Sequence, residues 1–418
     1  MSEAQLAHGA SAVGPTLAEF EAARERVSRV AKVTPLESSQ FLSDIAGVPV
    51  FLKCENLQRT GSYKIRGAYN RISQLTSEER ERGVVAASAG NHAQGVALAA
   101  RELGIKATIF MPVGVALPKL QATKHYGADV VLRGHTVTEP LRAAAEFAQS
   151  TGAVLIPPFD HADVVAGQGT LGLEILDQLP TVKTLVVPIG GGGLLSGIAS
   201  AVKQKLAQTG HTIRIVGVQA EGAAPYPLSL ASGVPTEIKL HPTIADGIAV
   251  AKPGILNFDI IKDMVDEVVT VSDDDIARAL LILLERAKLV VEPAGAASVA
   301  AILTGQVKAD GDTVVILSGG NIDPQMMERV ISLGLAASDR HLKIRIKLPD
   351  RPGQLARVAE LVSEANANVV EVLHTRRGRN SLISQVEIEL SVETRGSEHA
   401  QRVLERLQEA GYDPRVDN

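Results

Sequence analysis

The chain has 418 residues, 45% of them hydrophobic and 21% charged, with 3% aromatic residues and no Trp. That length accommodates two or three domains and a sizeable core, which must be built from Ala, Val, Ile and Leu. A formal net charge of −5 and a single cysteine, Cys54, argue against a nucleic-acid footprint, rule out an intrachain disulfide and fit a reducing compartment.

In the first twenty residues no basic stretch precedes an apolar core, so no secretory signal is expected. "GSYKIRGAYN" (61–70) predicts a helix: Ser62 suits its N-cap, and Ile65, Ala68, Ile72 and Leu75 share one face. Lys64 and Arg66 then fall in the first turn, where the helix dipole disfavours cations. A lysine placed against the dipole and beside a second cation has its charged form destabilised, which frees the amine for imine formation. The plainer alternative is a surface lysine with its charge in water. Arg66 needs an acidic partner that the sequence does not identify.

Apolar runs then alternate with helical patterns. "VPVFLK" (48–53), "GVVAAS" (83–88), "KATIFMP" (106–112), "ADVVLR" (128–133), "AVLIPP" (153–158), "TLVVPIG" (184–190), "IRIVGVQA" (213–220) and "DTVVILSGG" (312–320) predict buried strands. The middle ones are followed by amphipathic, Ala-rich segments, the signature of a parallel sheet with crossover helices. Ligands of such α/β sheets sit beyond the carboxyl ends of strands, so three loops stand out. "SAGNHAQG" offers Asn91 as a helix cap and a turn of N–H groups suited to a carboxylate. "VVPIGGGGLLSG" sets Gly190–Gly193 between strand and helix, a phosphate cradle or a plain linker, with neither a Walker lysine nor G-x-G-x-x-G spacing. "VVILSGGN" ends its strand at Ser318, either a turn residue or a hydrogen-bond partner for a ring nitrogen. "ARALLILLERAKLVV" is interrupted by Glu285 and Arg286 and reads as a buried helix, so no membrane span is expected.

After about residue 335 the pattern changes. "LGLAASDRHLKI" (333–344) reads as a linker, followed by strand, helix, strand, strand, helix and a final extended piece, a βαββαβ unit. Within it "HTRRGRN" (374–380) is short enough to be a solvated turn.

The order Lys64, Asn91, glycine loop, Ser318, carried by "GSYKIRGAYN", "SAGNHAQGVA", "PPFDHADVVAGQGT", "GGGGLLSG", "EPAGA" and "LSGGN", resembles the threonine dehydratase (threonine ammonia-lyase) family of fold-type II pyridoxal-phosphate enzymes. The resemblance implies a two-lobed α/β fold over residues 1–330, its smaller lobe at about 50–155 closing over substrate. It implies pyridoxal 5'-phosphate as cofactor, Lys64 as Schiff-base lysine and proton acceptor, and Asn91 at the ring hydroxyl. Gly190, Gly191, Gly192, Gly193 and Leu194 would hold the phosphate and Ser318 would face the pyridine nitrogen; Ser88, Ala89, Gly90, Asn91 and His92 would hold the substrate carboxylate. The implied reaction converts L-threonine to 2-oxobutanoate and ammonia, with L-serine giving pyruvate. A neutral Ser318 leaves the ring a weaker electron sink than an aspartate would, favouring elimination over transamination.

Racemases of the family carry serine where this chain has Ala89, and Pro227 occupies one of their cation-ligand positions, leaving Glu221 a poor hard-cation site; no metal is expected. A serine dehydratase or racemase of the same fold, or a catalytically silent amino-acid sensor, are the alternatives. "DRPGQL" and "ANANVVEV" resemble an ACT domain at 342–418, an amino-acid-binding or purely oligomerising module. Gly353, Gln354, Leu355 and Asn368 are its candidate effector contacts, with isoleucine or valine as effector. A cytoplasmic homodimer or homotetramer without nucleic-acid or membrane partners is expected.

Overall fold

The computed structural model describes residues 14–136, 138–207, 210–375 and 384–416. The N-terminal stretch read against a secretory signal and the basic run at 374–380 lie largely outside these residues. The chain divides into two compact units, Met1–Met327 and Glu328–Asn418.

In the first unit the apolar runs become β2 to β8 and β10 of the series β1 (Leu36–Ser38), β2 (Val50–Lys53), β3 (Val84–Ala87), β4 (Ala107–Met111), β5 (Asp129–Leu132), β6 (Val154–Leu155), β7 (Thr184–Pro188), β8 (Arg214–Ala220), β9 (Glu267–Val271) and β10 (Thr313–Ile316). One sheet has the order β1-β2-β10-β7-β8-β9, parallel except for the edge pair β1 and β2. The other has the order β5-β4-β3-β6, parallel throughout. β1 and β9 are the two strands the sequence reading missed. Both are edge strands with half-polar sequences, so neither shows the continuous apolar run that marks a strand buried on both faces.

Strand order dictates where the loops meet. In the smaller sheet β3 lies between β4, reached through the helix Asn91–Glu102, and β6, so its carboxyl end opens at a reversal of strand order. In the larger sheet β7 lies between β8, reached through the helix Gly193–Leu206, and β10. The loops after β3, β7 and β10 therefore occupy the switch points at which open α/β sheets bind ligands.

Apolar cores support both sheets. Leu185, Val187, Leu195, Ile198, Ile215, Val314 and Ile316 pack in the larger one. In the smaller one Val96, Ala97, Ile109 and Met111 receive Ile65, Ala68, Tyr69 and Ile72 from the helix Lys64–Ser73. That helix thus turns its apolar face into the smaller core while it also packs against the helix Ala162–Gln178, and β2, near the expected start of the smaller lobe, pairs into the larger sheet.

In the second unit β11 (His341–Pro349), β12 (Asn368–Thr375), β13 (Gln385–Glu393) and β14 (Arg415–Val416) form an antiparallel sheet of order β12-β13-β11-β14. Alternate residues of β11 are buried, and Ile344, Ile346 and Leu348 pack with Val358 and Leu361 of the helix Gln354–Glu364 and Val403 and Leu407 of the helix Ser397–Glu409. The expected linker is shorter than its sequence suggests. The helix Pro324–Ala337 continues through its first residues, with Val330 and Gly334 buried, and β11 begins at His341.

Candidate active site

The helix carrying Lys64 begins at that residue, with Tyr63 at the cap and no side-chain cap bond. Ser62 is not the N-cap the sequence suggested. Its backbone bridges to Gly319, which draws it into the sheet-end structure, and its hydroxyl is buried without a partner among the described residues. The Tyr63 N–H donates to the Ser318 carbonyl at 3.2 Å, so the loop after β10 lies against the start of this helix. Lys64 Nζ donates to the Pro158 carbonyl at 2.9 Å and lies 5.2 Å from the Tyr63 ring centre. Enclosure of the amine lowers its pKa to about 8, with Glu292 opposing the shift. Burial of the amine therefore does the work that the sequence reading gave to the dipole and to Arg66.

Arg66 is fully enclosed and finds the partner that the sequence left unnamed. Its Nε and Nη2 donate to the two Glu55 oxygens at 2.8 Å each, and Nη1 lies 3.0 Å from Glu174 Oε2. Glu174 also receives Lys53 Nζ at 2.5 Å, and Glu55 receives the Thr34 hydroxyl at 2.6 Å. Burial alone would raise the Glu174 carboxyl; Arg66 and Lys53 outweigh it and hold the group below its ordinary value. On the helix's other contacts, a Cβ at Gly167 would approach the Arg66 carbonyl to 2.6 Å, and one at Gly95 the Lys64 carbonyl carbon to 3.1 Å. Glycines at these points let two neighbouring helices close on the backbone that carries the amine.

Asn91 is the first residue of its helix, after Gly90, and does not cap it. Its Nδ2 donates to Glu292 Oε1 at 2.6 Å, and its Oδ1 accepts from Asn321 Nδ2 at 2.8 Å. The Glu292 N–H donates to the Gly319 carbonyl at 3.0 Å, tying this network to the residue after Ser318. Burial, reinforced by Asp246, raises the Glu292 carboxyl to about 7. Next to Asn91 in the first turn of its helix, His92 donates Nε2–H to the Ile156 carbonyl at 2.9 Å; burial and then Lys64 lower its pKa to about 3, so it is a neutral anchor for that turn. Glu292 and Asn321 escaped sequence reading as functional residues, although a carboxylate opening the otherwise apolar "PAGAASVAAIL" helix was a usable signal.

The glycine loop follows β7 as expected. The Ser196 N–H bonds the Gly192 carbonyl at 2.9 Å, whereas those of Gly191 to Leu195 have no acceptor among the described residues. Side chains at Gly191 or Gly193 would run into Phe159, the neighbour of the Pro158 that receives Lys64. Unpaired amides at a helix start, beside an enclosed amine, fit an anionic phosphate and an aldehyde on one molecule.

A cavity of ≈ 220 Å³ opens next to this cluster, lined by Ala89, Gly114, Lys119, Asp246, Glu292, Asn321 and neighbouring residues. Lys119 of the helix Leu117–His125 pairs with Asp246 at 2.9 Å, joining the smaller lobe to the larger at the cavity. The structure therefore brings together Lys64, Asn91, His92, Ser318 and the loop Gly190–Leu194, with Ser88, Ala89 and Gly90 leading into Asn91. Glu221 sits exposed in a short turn, and Pro227 lies in the helix Pro225–Ser232. In the second unit Gly353, with φ 89°, precedes the helix begun by Gln354 and Leu355. Asn368 instead pairs in register with Glu393, opposite His341, at the far end of β11. At about 3.3 Å per residue that is roughly 26 Å from the Pro349 turn, so one copy of the chain does not join Asn368 to the other three.

Residues 27–319 match the family model "Pyridoxal-phosphate dependent enzyme", and residues 343–411 match "ACT domain". The chain is 46% identical over 394 residues to an L-threonine ammonia-lyase of Geobacter sulfurreducens, covering 94% of this chain and 97% of that protein. It is 45% identical over 401 residues to one of Thermotoga maritima, covering 96% and 99%. Among solved structures, the processed form of threonine deaminase isoform 2 from Solanum lycopersicum superposes with a TM-score of 0.71 at 37% identity, covering 77% of this chain and 96% of that one. Maize serine racemase superposes with a TM-score of 0.71 at 34% identity, covering 78% and 99%.

Proposed function

This chain belongs to the pyridoxal-phosphate dependent enzymes and carries an ACT domain, and from that premise we propose that it deaminates L-threonine to 2-oxobutanoate and ammonia, and L-serine to pyruvate. The observation that carries the reading is an enclosed amine, with its pKa lowered to about 8, beside a loop of unpaired amides, in a chain that shares nearly its whole length with L-threonine ammonia-lyases.

Pyridoxal 5'-phosphate, when bound, supplies an aldehyde and an electron sink for the substrate's Cα. Gly190–Leu194 would hold its phosphate, Asn91 its ring hydroxyl and Ser318 its ring nitrogen. The amides of Ser88–His92 orient the substrate carboxylate at the start of the helix Asn91–Glu102. Lys64, neutral in a large fraction near pH 8, accepts the Cα proton, and the Cβ hydroxyl departs as water. Hydrolysis returns that water, so the net change is loss of ammonia. Glu292 carries a proton at neutral pH more readily than an ordinary carboxyl, and by accepting from Asn91 Nδ2 it orients the amide that would meet the ring hydroxyl. Ala89 stands where racemases of the family carry serine and so offers no hydroxyl at that position for a second proton transfer at Cα, which favours elimination over racemisation.

We assign residues 1–330 to catalysis and 342–418 to regulation by an amino acid such as isoleucine or valine. Because Asn368 and Gly353 are at opposite ends of one sheet, an effector touching both requires two copies, so regulation is coupled to assembly as a dimer or tetramer. The absence of a membrane-spanning helix among the described residues is compatible with a cytoplasmic location. The test is a visible absorption spectrum and a keto-acid assay with L-threonine for the wild type and Lys64→Ala. A cofactor band and 2-oxobutanoate that both vanish in the variant are expected. Keto acid formed by Lys64→Ala at the wild-type rate would overturn the assignment.

A further inference from the structure

One peptide of the glycine loop is held from behind. The Gly191 carbonyl accepts three hydrogen bonds: from the Tyr226 hydroxyl at 3.2 Å, from Asn257 Nδ2 at 3.2 Å and from the Gly254 N–H at 3.1 Å. Tyr226 and Asn257 are both fully buried. Asn257 is itself oriented, because its Oδ1 accepts from the Ser196 hydroxyl at 2.8 Å. Tyr226 is oriented too, since its N–H donates to Gln219 Oε1 at 3.0 Å at the end of β8. A trans peptide sets its C=O and N–H in opposite directions. Pinning the Gly191 carbonyl toward Tyr226 and Asn257 therefore turns the Gly192 N–H the opposite way, where it meets no acceptor among the described residues. The Gly192 backbone, at φ 102°, accommodates this orientation, and a Cβ there would come within 2.0 Å of the Tyr226 oxygen.

We propose that Tyr226 and Asn257 are positioning residues for anion binding: they hold the Gly191–Gly192 peptide so that its N–H faces the phosphate. The inference rests on the reading that Gly190–Leu194 takes the phosphate of the cofactor. The two amides that follow, at Gly193 and Leu194, are aimed by the helix they begin, whereas the Gly192 amide lies ahead of the helix and depends on the buttress. Neither side chain touches the ligand. Their effect is preorganisation, which is read as affinity for the phosphate and not as a change in the aldehyde chemistry.

Two ligands separate these effects. Cofactor-free protein is titrated, by absorbance, with pyridoxal 5'-phosphate and with pyridoxal, which has the same aldehyde and ring but no phosphate. Tyr226→Phe keeps the ring and removes the hydroxyl; it is expected to weaken pyridoxal 5'-phosphate about tenfold, the order of one oriented hydrogen bond, and to leave pyridoxal within about twofold. Ser196→Ala frees the Asn257 amide to rotate and should give a smaller loss with the same selectivity. Thermal melting of each cofactor-free variant establishes that the fold is intact. Equal weakening of both ligands, or unchanged affinity for pyridoxal 5'-phosphate in both variants, would overturn the proposal. A wild-type chain that takes up neither ligand would instead overturn the cofactor reading, and this inference with it.

Discussion

Replacing Arg66 by Met tests the buried charge cluster beneath the Lys64 helix. Arg66 has a side-chain exposure of 2% and Glu55 of 0%, and Lys53 is fully buried, so solvent screens these groups little. The variant removes both guanidinium bonds to Glu55, leaving that carboxylate the Thr34 hydroxyl, and removes one of the two cations at Glu174. Two carboxylates then face one lysine. Breaking a buried pair by deleting one partner costs about 3 to 5 kcal/mol, mainly because a charge is left uncompensated. A loss in that range is expected from urea unfolding of the full chain followed by far-UV circular dichroism. Adding Glu55→Gln restores the balance of one lysine and one carboxylate and should recover much of the loss, so the double variant should be more stable than Arg66→Met alone. A loss below about 1 kcal/mol, or a further loss on adding Glu55→Gln, would refute the reasoning, because it would mean the cluster is solvated or its charges are not coupled.

Glu292→Gln should alter the pH dependence of stability. The folded carboxyl titrates near 7 against an ordinary 4.5, so the folded state binds more protons between these values and this group's contribution falls as pH rises from about 4.5 to 7. The wild type minus variant difference should change by about 3 kcal/mol across that window in denaturation series at several pH values, and parallel curves would contradict the assignment. Gly192→Ala adds a Cβ within 2.0 Å of the Tyr226 hydroxyl and strains a backbone at φ 102°; cofactor uptake measured by absorbance should fall at least tenfold, and wild-type uptake would show that the loop yields. Lys119→Met breaks a pair whose Asp246 side chain is 60% exposed, so stability should change by less than about 1 kcal/mol in urea unfolding; a loss of several kcal/mol would show the lobes are bound together there.

Much of the fold was legible because parallel strands buried on both faces must be mostly apolar, and β3, β4, β7, β8 and β10 are, with one threonine each in β4, β7 and β10 and Arg214 and Gln219 in β8. Their carboxyl ends then located the candidate loops without any knowledge of pairing. Edge strands β1 and β9 escaped because one side of each needs no apolar cover. Local rules failed where a tertiary partner outbid them. Ser62 has the residue type of an N-cap, but its backbone is engaged by Gly319, and Asn91 has the type of a cap, but its amide is engaged by Glu292 and Asn321. No local pattern could supply Glu174 to Arg66, since 108 positions separate them and the contact exists only once the helix Ala162–Gln178 crosses the helix Lys64–Ser73.

That crossing explains why two cations can open one helix against its dipole. The electrostatic cost is met differently at each position. Arg66 cannot lose its proton, so it is neutralised by Glu55 and Glu174 and thereby fastens the first turn to the larger lobe. Lys64 can lose its proton, and enclosure with no carboxylate at hydrogen-bonding distance among the described residues makes the neutral amine accessible near pH 8. The same turn therefore needs a permanent cation to hold its place and a conditional one to react. Exchanging the two residues would fail on both counts: an arginine at position 64 stays protonated, and a lysine at position 66 cannot span Glu55 in bidentate fashion while reaching Glu174.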